Sequence, residues 1–330
     1  MEKNLYIDAS HPDETRVVLK SNGNIEDYEF ETTKNNLIKN NIYLGKVSRI
    51  EPSLQAAFID FGRERHGFLS FNDIQSDYYQ IPLTDLEKIK EEEEKVREEL
   101  LKESEKNDQQ IIDSGEKNIT NQDSTDNFTN ENLAEQNNKQ KKNPTKNYKI
   151  QEVIKPNQVI LIQVLKDERG LKGAALSTFI SIAGKYIVLM PNTSKGGGIS
   201  RKIFNPADRK KIRKILNQIE IPKEMGVIVR TAGSNKTKNE IENDLNNLIA
   251  VWDKIKNNAM NSLAPSLIHQ ESDVIKRSLR DMYDDETQNI IVEGNEGYQK
   301  AKNYMKLMMP TNVKKIKKYR DKIPLFFKEK

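Results

Sequence analysis

The chain has 330 residues, enough for two or three domains, but only 35% are hydrophobic and 32% are charged, which indicates that part of the length does not fold. It has no cysteine, which excludes disulfides and thiolate metal sites, while the net charge of +4 gives only weak support for a nucleic-acid partner. No apolar run approaches the roughly 20 residues of a membrane span, so we expect a cytoplasmic protein without a transmembrane segment.

The first elements are expected to be short β-strands. Residues 3–30 predict a hairpin whose turn is Ser21-Asn22-Gly23-Asn24. Residues 41–69 predict two or three further strands, which are separated by the turn-forming pair Pro52-Ser53.

The sequence AAFIDFGRERHGFL, residues 56–69, carries the strongest functional signal. Its alternation predicts that Phe58, His66 and Phe68 stand on one face of a small twisted sheet, beside two arginines of the turn. Such a face suits single-stranded nucleic acid, because bases stack on the rings and cations hold the phosphates. The alternative is that Phe58 and Phe68 are core residues of a β-barrel. The position of His66 between two glycine turns favours the binding face.

A charged and polar tract then interrupts the strands. Residues 86–101 predict a charged helix with little apolar face, in which the glutamates at 91–94 are expected to be solvated. Residues 107–147 are almost free of apolar side chains, so we expect a disordered insertion over about 86–147. The strands on both sides are expected to form one small barrel. The barrel can tolerate such a long insertion because the closure entropy of a loop grows slowly with its length.

The second half of the chain predicts an alternation of strands and helices. A helix is expected to begin at Asn205-Pro206, where Asn205 can cap the N-terminus. A longer helix is expected over 238–258, where apolar residues recur with helical spacing. From residue 267 strands and helices continue to alternate up to a basic tail, which is an α/β pattern.

A second candidate site combines GGGISRK, residues 196–202, with VRTAG, residues 229–233. Consecutive glycines let backbone N–H groups approach an anion closely. Arg201 offers a two-pronged donor and Thr231 a hydroxyl, a combination that suits one phosphate group. The alternative is a flexible turn with surface cations.

Hydrolysis of RNA usually needs two close carboxylates that hold divalent ions. The best local candidates are Asp281 and Asp285, which would share one face at a helix end. A solvated helix terminus is the favoured interpretation of this acidic cluster.

Several long motifs resemble those of bacterial ribonuclease E/G family endoribonucleases. They are NIYLGKVSRIEPSLQAAFIDFGRERHGFL, DERGLKGAALSTFIS, YIVLMPN, GGISRK, MGVIVRTAG, LIHQESDVI and IPLF, and they follow one another over nearly the whole chain outside the insertion. The resemblance implies an α+β multidomain protein. A five-stranded OB-type β-barrel over 36–178 and a 5′-sensor α/β domain over 179–275 would be inserted into an RNase H-like subdomain made of 1–35 and 276–330.

The resemblance also implies two sets of site residues and a partner, single-stranded RNA that preferably carries a 5′ monophosphate. The RNA-binding positions of the barrel would be Phe58, Phe61, His66, Phe68 and Lys172. The positions of the 5′-phosphate pocket would be Gly184, Val188, Arg201, Arg230 and Thr231. Phe61 stands where close relatives often have tyrosine.

In the family, the aspartates that bind catalytic Mg²⁺ lie in a DNase I-like subdomain after the PLF motif, and the cysteines of a zinc link come later still. Catalytic residues, magnesium ligands and the zinc site are therefore expected to be absent from this chain. The expected function is RNA binding and 5′-monophosphate sensing in an endoribonuclease of RNA processing, decay and rRNA maturation, with a separate chain supplying catalysis. The alternatives are a non-catalytic regulatory RNA-binding protein and an independent nuclease acting through Asp281 and its neighbours.

Overall fold

The computed structural model describes residues 3–32, 37–113, 148–168, 172–193, 197–222, 224–271 and 273–328. The chain forms two compact units. Unit 1 contains residues 1–41 and 270–330, and unit 2 contains residues 42–269. The finer division into a barrel, a sensor domain and an RNase H-like subdomain stays a prediction.

The described residues form a mixed α+β structure. The strands are β1 (Lys3–His11), β2 (Glu14–Ser21), β3 (Asn24–Thr32), β4 (Ile42–Glu51), β5 (Ala56–Asp60), β6 (Gly67–Ser70), β7 (Val159–Lys166), β8 (Ala175–Ser177), β9 (Ile182–Ala183), β10 (Ile187–Met190), β11 (Gly198–Ile199), β12 (Gly226–Val229), β13 (Ser266–His269), β14 (Thr287–Glu293) and β15 (Ile316–Lys318). The helices are α1 (Leu83–Asp113), α2 (Ile150–Val153), α3 (Pro206–Leu216), α4 (Lys238–Asn261), α5 (Val274–Asp281), α6 (Asn295–Met308) and α7 (Leu325–Lys328). None of the helices in the described part of the chain combines the length and the apolarity that a lipid bilayer requires.

Unit 1 is built on a sheet in the order β15–β14–β1–β2–β3. Strands β1 to β3 are antiparallel neighbours, whereas β14 runs parallel to β1 and β15 parallel to β14. The predicted turn at 21–24 is confirmed: Asn22 and Gly23 have φ of 50° and 88°, as a tight two-residue hairpin requires. Helices α5 and α6 contribute Leu279 and Met305 to the same apolar core as Leu5 of β1.

Five strands of unit 2 close into a β-barrel. Their order is β4–β5–β6–β8–β7, and β7 pairs back to β4, which also pairs with β13. The barrel interior includes Val47, Ile59 and Ile162, all 0% exposed. This arrangement is consistent with an OB-type barrel and confirms that strands from both sides of the polar tract form one sheet.

The first part of the polar tract is helix α1, which confirms the charged helix predicted over residues 86–101, whereas the disorder predicted for the insertion is wrong as far as residue 113. Ile89 of α1 is 5% exposed, and Lys90 forms an ion pair of 2.7 Å with Asp77. Glu93 is half-buried and accepts a hydrogen bond of 3.0 Å from the Ser76 hydroxyl, so the prediction of a solvated glutamate run is wrong at this position. Residues 114–147 lie outside the described residues.

A smaller sheet in unit 2 has the order β11–β12–β10–β9 and packs against α4. The predicted start of α3 is confirmed, since the Asn205 side chain accepts a hydrogen bond of 3.0 Å from the backbone N–H of Ala207. The predicted apolar stripe of α4 is buried, as expected for the core side of the helix. Its buried hydrophobic members are Ile241, Leu245, Leu248, Trp252 and Ile255.

Candidate nucleic-acid interface

The β5–β6 hairpin presents two aromatic rings on the outside of the barrel. Phe58 and Phe68 are cross-strand partners, with ring centroids 6.0 Å apart and an interplanar angle of 76°. The neighbouring side chains of Ala57, Ile59 and Leu69 point into the barrel and are 0% exposed. Alternation therefore leaves Phe58 half-buried and Phe68 36% exposed, which excludes the interpretation of both rings as barrel core.

An open groove of about 410 Å³ lies beside the Phe58 ring. The groove is lined by Ser48, Arg49, Phe58, Glu64, Arg65, His66 and Gly173. The guanidinium carbon of Arg49 lies 4.4 Å from the centroid of the Phe58 ring, which is a cation–π contact. Sequence reasoning missed Arg49, because the pairing of β4 with β5 shifts register between Val47 and Arg49 and simple alternation fails there.

Close backbone packing brings His66 and Lys172 together. The N–H of Phe68 donates to the carbonyl oxygen of Ala174 at 2.8 Å. Gly173 lies so close to His66 that an added Cβ would be 2.1 Å from the His66 carbonyl oxygen. Only glycine permits this approach. The adjacent Lys172 is exposed, as is His66, so the structure groups both with the two rings.

Phe61 does not belong to this exposed group. Its ring is 1% exposed and makes an edge-to-face contact with Tyr43, with centroids 5.1 Å apart. A base cannot stack on a buried ring, so the predicted RNA contact of Phe61 is wrong. Its ring packs inside the unit against Tyr43.

The second candidate site lies at the ends of β10, β11 and β12. The N–H of Ser200 donates to the carbonyl oxygen of Val229 at 2.9 Å, and the N–H of Arg230 donates to that of Tyr186 at 2.8 Å. These bonds bring the segments that follow β11 and β12 to the turn that precedes β10. The predicted combination of GGGISRK with VRTAG is therefore present, although residues 194–196 lie outside the described residues.

Arg230 is the best-fixed member of this phosphate-pocket candidate. Its Nη1 donates to the carbonyl oxygen of Gly184 at 2.8 Å. Arg201 and Thr231 are exposed, and Val188 of β10 is half-buried. A hydrogen bond thus joins two of the five predicted residues, Gly184 and Arg230, while Val188 lies in β10 and Arg201 and Thr231 follow the ends of β11 and β12.

Two buried charged side chains hold the backbone of this pocket, and sequence reasoning missed both. The Asp244 carboxylate accepts hydrogen bonds from the N–H groups of Lys185, Tyr186 and Ile187. Burial raises the pKa of Asp244, against the opposing effect of these three donors. Nη1 of Arg209 donates to the carbonyl oxygens of Ser200 and Ile203 at 3.1 and 3.0 Å, beside Arg201.

Comparison with known proteins assigns the chain to a family. The model of the Ribonuclease E/G family matches residues 181–330. Ribonuclease E of Haemophilus influenzae is 34% identical over 324 residues, which cover 98% of this chain and 28% of that protein. The chain belongs to the ribonuclease E/G family.

Other relatives include both a ribonuclease E and a ribonuclease G. Ribonuclease E of Escherichia coli is 34% identical over 98% of this chain and 25% of its own length. Ribonuclease G of Escherichia coli is 27% identical over 96% of this chain and 53% of its own length. The chain thus spans only about a quarter of the length of the two ribonuclease E relatives.

The acidic cluster of this ribonuclease E/G family member does not converge on a metal site. The Asp281 carboxylate pairs with the guanidinium of Arg280 at 3.0 Å, and Asp284 pairs with Lys3 at 2.6 Å. Among the described residues, no group of three or more His, Cys, Asp or Glu side chains could hold a metal ion. We therefore assign no chemical step to these carboxylates.

Proposed function

We propose that this ribonuclease E/G family member binds single-stranded RNA on its barrel and recognises an RNA 5′ monophosphate at the end of the small sheet. These two surfaces would form the recognition part of an RNase E/G-type endoribonuclease. The observation that carries the proposal is the outward pair of rings, Phe58 and Phe68, beside a groove that contains cationic side chains.

On the barrel, Phe58 and Phe68 would each stack on a base, and His66 would stack on or hydrogen-bond to a further base. Lys172 would neutralise a backbone phosphate. Stacking contributes roughly 1–3 kcal/mol per base and tolerates every base type, because each base has a π-face. Arg49 already covers part of the Phe58 ring, so its planar guanidinium would extend the stack.

At the small sheet, Arg201 and Arg230 would grip the terminal phosphate, and Thr231 would donate its hydroxyl. A monophosphate presents several negatively charged oxygens to these donors, whereas a 5′ hydroxyl is neutral. Arg230 is held by its backbone and its side chain, so it loses little freedom when it binds.

The test compares the affinities of one A/U-rich RNA that carries either a 5′ monophosphate or a 5′ hydroxyl. We expect the unmodified protein to prefer the monophosphate. Arg230→Ala should remove most of this preference, by a factor of roughly 10 to 100, because it deletes charged hydrogen bonds. Fluorescence anisotropy with labelled RNA measures both affinities.

Lys254→Ala serves as the control, because it deletes an exposed cation from α4. It should leave the preference unchanged. Equal weakening of both RNAs by Arg230→Ala would contradict the assignment of the pocket to the 5′ end.

A further inference from the structure

We propose that Asp244 is a positioning residue of the phosphate pocket, which fixes residues 184–187 and, through the Gly184 carbonyl, the guanidinium of Arg230. The inference rests on the proposed function of this pocket. Asp244 itself is 3% exposed and would touch no RNA.

The Asp244 carboxylate binds three consecutive backbone N–H groups. Its Oδ2 accepts from Tyr186 at 2.8 Å and from Ile187 at 3.1 Å. Its Oδ1 lies 3.4 Å from the nitrogen of Lys185, which donates to it. A side chain of helix α4 thus holds the turn that leads into β10.

Gly184 completes this close packing. A Cβ at that position would lie 2.6 Å from Oδ2 and 2.9 Å from Oδ1 of Asp244. The N–H of Gly184 also donates to the carbonyl oxygen of Ile187 at 2.8 Å, which closes the turn on itself. Glycine is therefore required here because the carboxylate occupies the space that a side chain would need.

The turn of residues 184–187 also holds Arg230 at two points. The Gly184 carbonyl oxygen accepts from Nη1 of Arg230, and the Tyr186 carbonyl oxygen accepts from its backbone N–H, each at 2.8 Å. A shift of the turn would therefore move the guanidinium. Recognition of a phosphate depends on such placement, because misplaced donors lose most of their value.

The burial of a charge at this point is costly, which argues for a role beyond packing. Burial is the largest influence on the pKa of Asp244 and raises it, although three donors and Arg230 oppose the shift. A neutral acceptor could hold one or two N–H groups at a lower desolvation cost. Only a carboxylate accepts from all three while it also faces the positive charge of Arg230.

The decisive variant is Asp244→Asn, which keeps the shape but turns an amide NH₂ toward a backbone donor. We expect the preference for 5′-monophosphate RNA over 5′-hydroxyl RNA to fall about tenfold or more, whereas the affinity for 5′-hydroxyl RNA stays within about twofold. Amide hydrogen exchange at Tyr186 and Ile187 should become faster. Asp253→Asn on the same helix is the control, since Asp253 is exposed and pairs with Lys256.

Faster exchange at Tyr186 and Ile187 with an unchanged preference would overturn the inference, because Asp244 would then be merely structural. If the unmodified protein shows no preference, the proposed function fails instead. If Asp244→Asn does not fold, Asp244→Glu keeps the charge in a longer side chain that collides with Gly184. It should lose the preference as well, and a retained preference would again contradict the positioning role.

Discussion

Three phenylalanines of the barrel hairpin have the same side chain, but strand alternation turns two of the rings outward and one inward. Phe58 and Phe68 face outward as a cross-strand pair, whereas Phe61 packs against Tyr43 inside the unit. The parity of β5 already groups residue 61 with the buried Ile59 rather than with Phe58. The wrong prediction for Phe61 came from family resemblance, and strand periodicity alone would have corrected it.

Phe68→Ala tests the stacking surface at the scale of one ring. Because a stacked base contributes roughly 1–3 kcal/mol, we expect RNA affinity to fall by a factor of roughly 5 to 150. The loss should be equal for 5′-monophosphate and 5′-hydroxyl RNA, since Phe68 belongs to the barrel surface and not to the proposed phosphate site. Fluorescence anisotropy with both RNAs measures it.

Phe30→Ala is the matched control for Phe68→Ala, because Phe30 is 44% exposed on β3 of unit 1. It should bind both RNAs like the unmodified protein. A loss confined to monophosphate RNA in Phe68→Ala would show that this ring belongs to the sensor and not to a general RNA surface.

The buried charges of the pocket could have been found from helical spacing. Asp244 follows Ile241 by three residues and precedes Leu248 by four, so it lies on the apolar stripe of α4. Arg209 precedes the buried Ile212 by three residues in the same way. A charged residue at a core position signals a specific partner. The identity of that partner is a tertiary fact that the sequence does not contain.

At the scale of elements, the first turns of helix α1 pack on the protein with little apolar contact. We predicted solvation because charged residues dominate its sequence, but one buried isoleucine, Ile89, and polar contacts from Lys90 and Glu93 hold its first turns. These contacts depend on Ser76 and Asp77, which the chain supplies from the preceding 3₁₀ turn (Ser76–Tyr78). Periodicity within the helix could not reveal them.

Glu93 makes the docking of α1 dependent on pH. Burial raises the pKa of Glu93 above its ordinary value of 4.5, although the Ser76 hydroxyl opposes the shift. A raised pKa means that the docked helix binds the proton more tightly, so this contribution to docking is fully present below about pH 4.5 and is lost as the pH rises through the raised pKa. Glu93→Gln should therefore strengthen docking at pH 7 and remove the contribution of residue 93 to the pH dependence of docking.

Amide hydrogen exchange in the first turns of α1, corrected for the intrinsic effect of pH, measures this docking. Glu91→Gln is the control, because Glu91 is exposed and should leave the pH dependence intact. If Glu93→Gln exchanged faster than the unmodified protein at pH 7, the carboxylate would be stabilising the docked helix and our sign would be wrong.

At the scale of the whole molecule, local sequence patterns predicted the barrel, whereas the predicted domain boundaries came from the family resemblance alone. Alternating strands on both sides of the tract pointed to one barrel, and the pairing of β4 with β7 confirms it. The two units divide at residues 41 and 269, where the sequence has no marked change in composition. Such boundaries depend on long-range packing, for which local patterns carry no signal.

The net charge of +4 averages acidic and basic segments, so it says little about how the protein meets RNA. If RNA binds through local cations, the logarithm of the affinity should fall linearly with the logarithm of the salt concentration, with a slope of about −0.7 per neutralised phosphate on a single strand. Lys172→Ala should then make the slope shallower by about 0.7, because one phosphate contact is lost. Lys322→Ala removes the same net charge from an exposed position of unit 1 and should leave the slope unchanged. Equal effects of both variants, measured by titration with 5′-hydroxyl RNA between about 50 and 200 mM salt, would mean that overall charge rather than the barrel surface governs association.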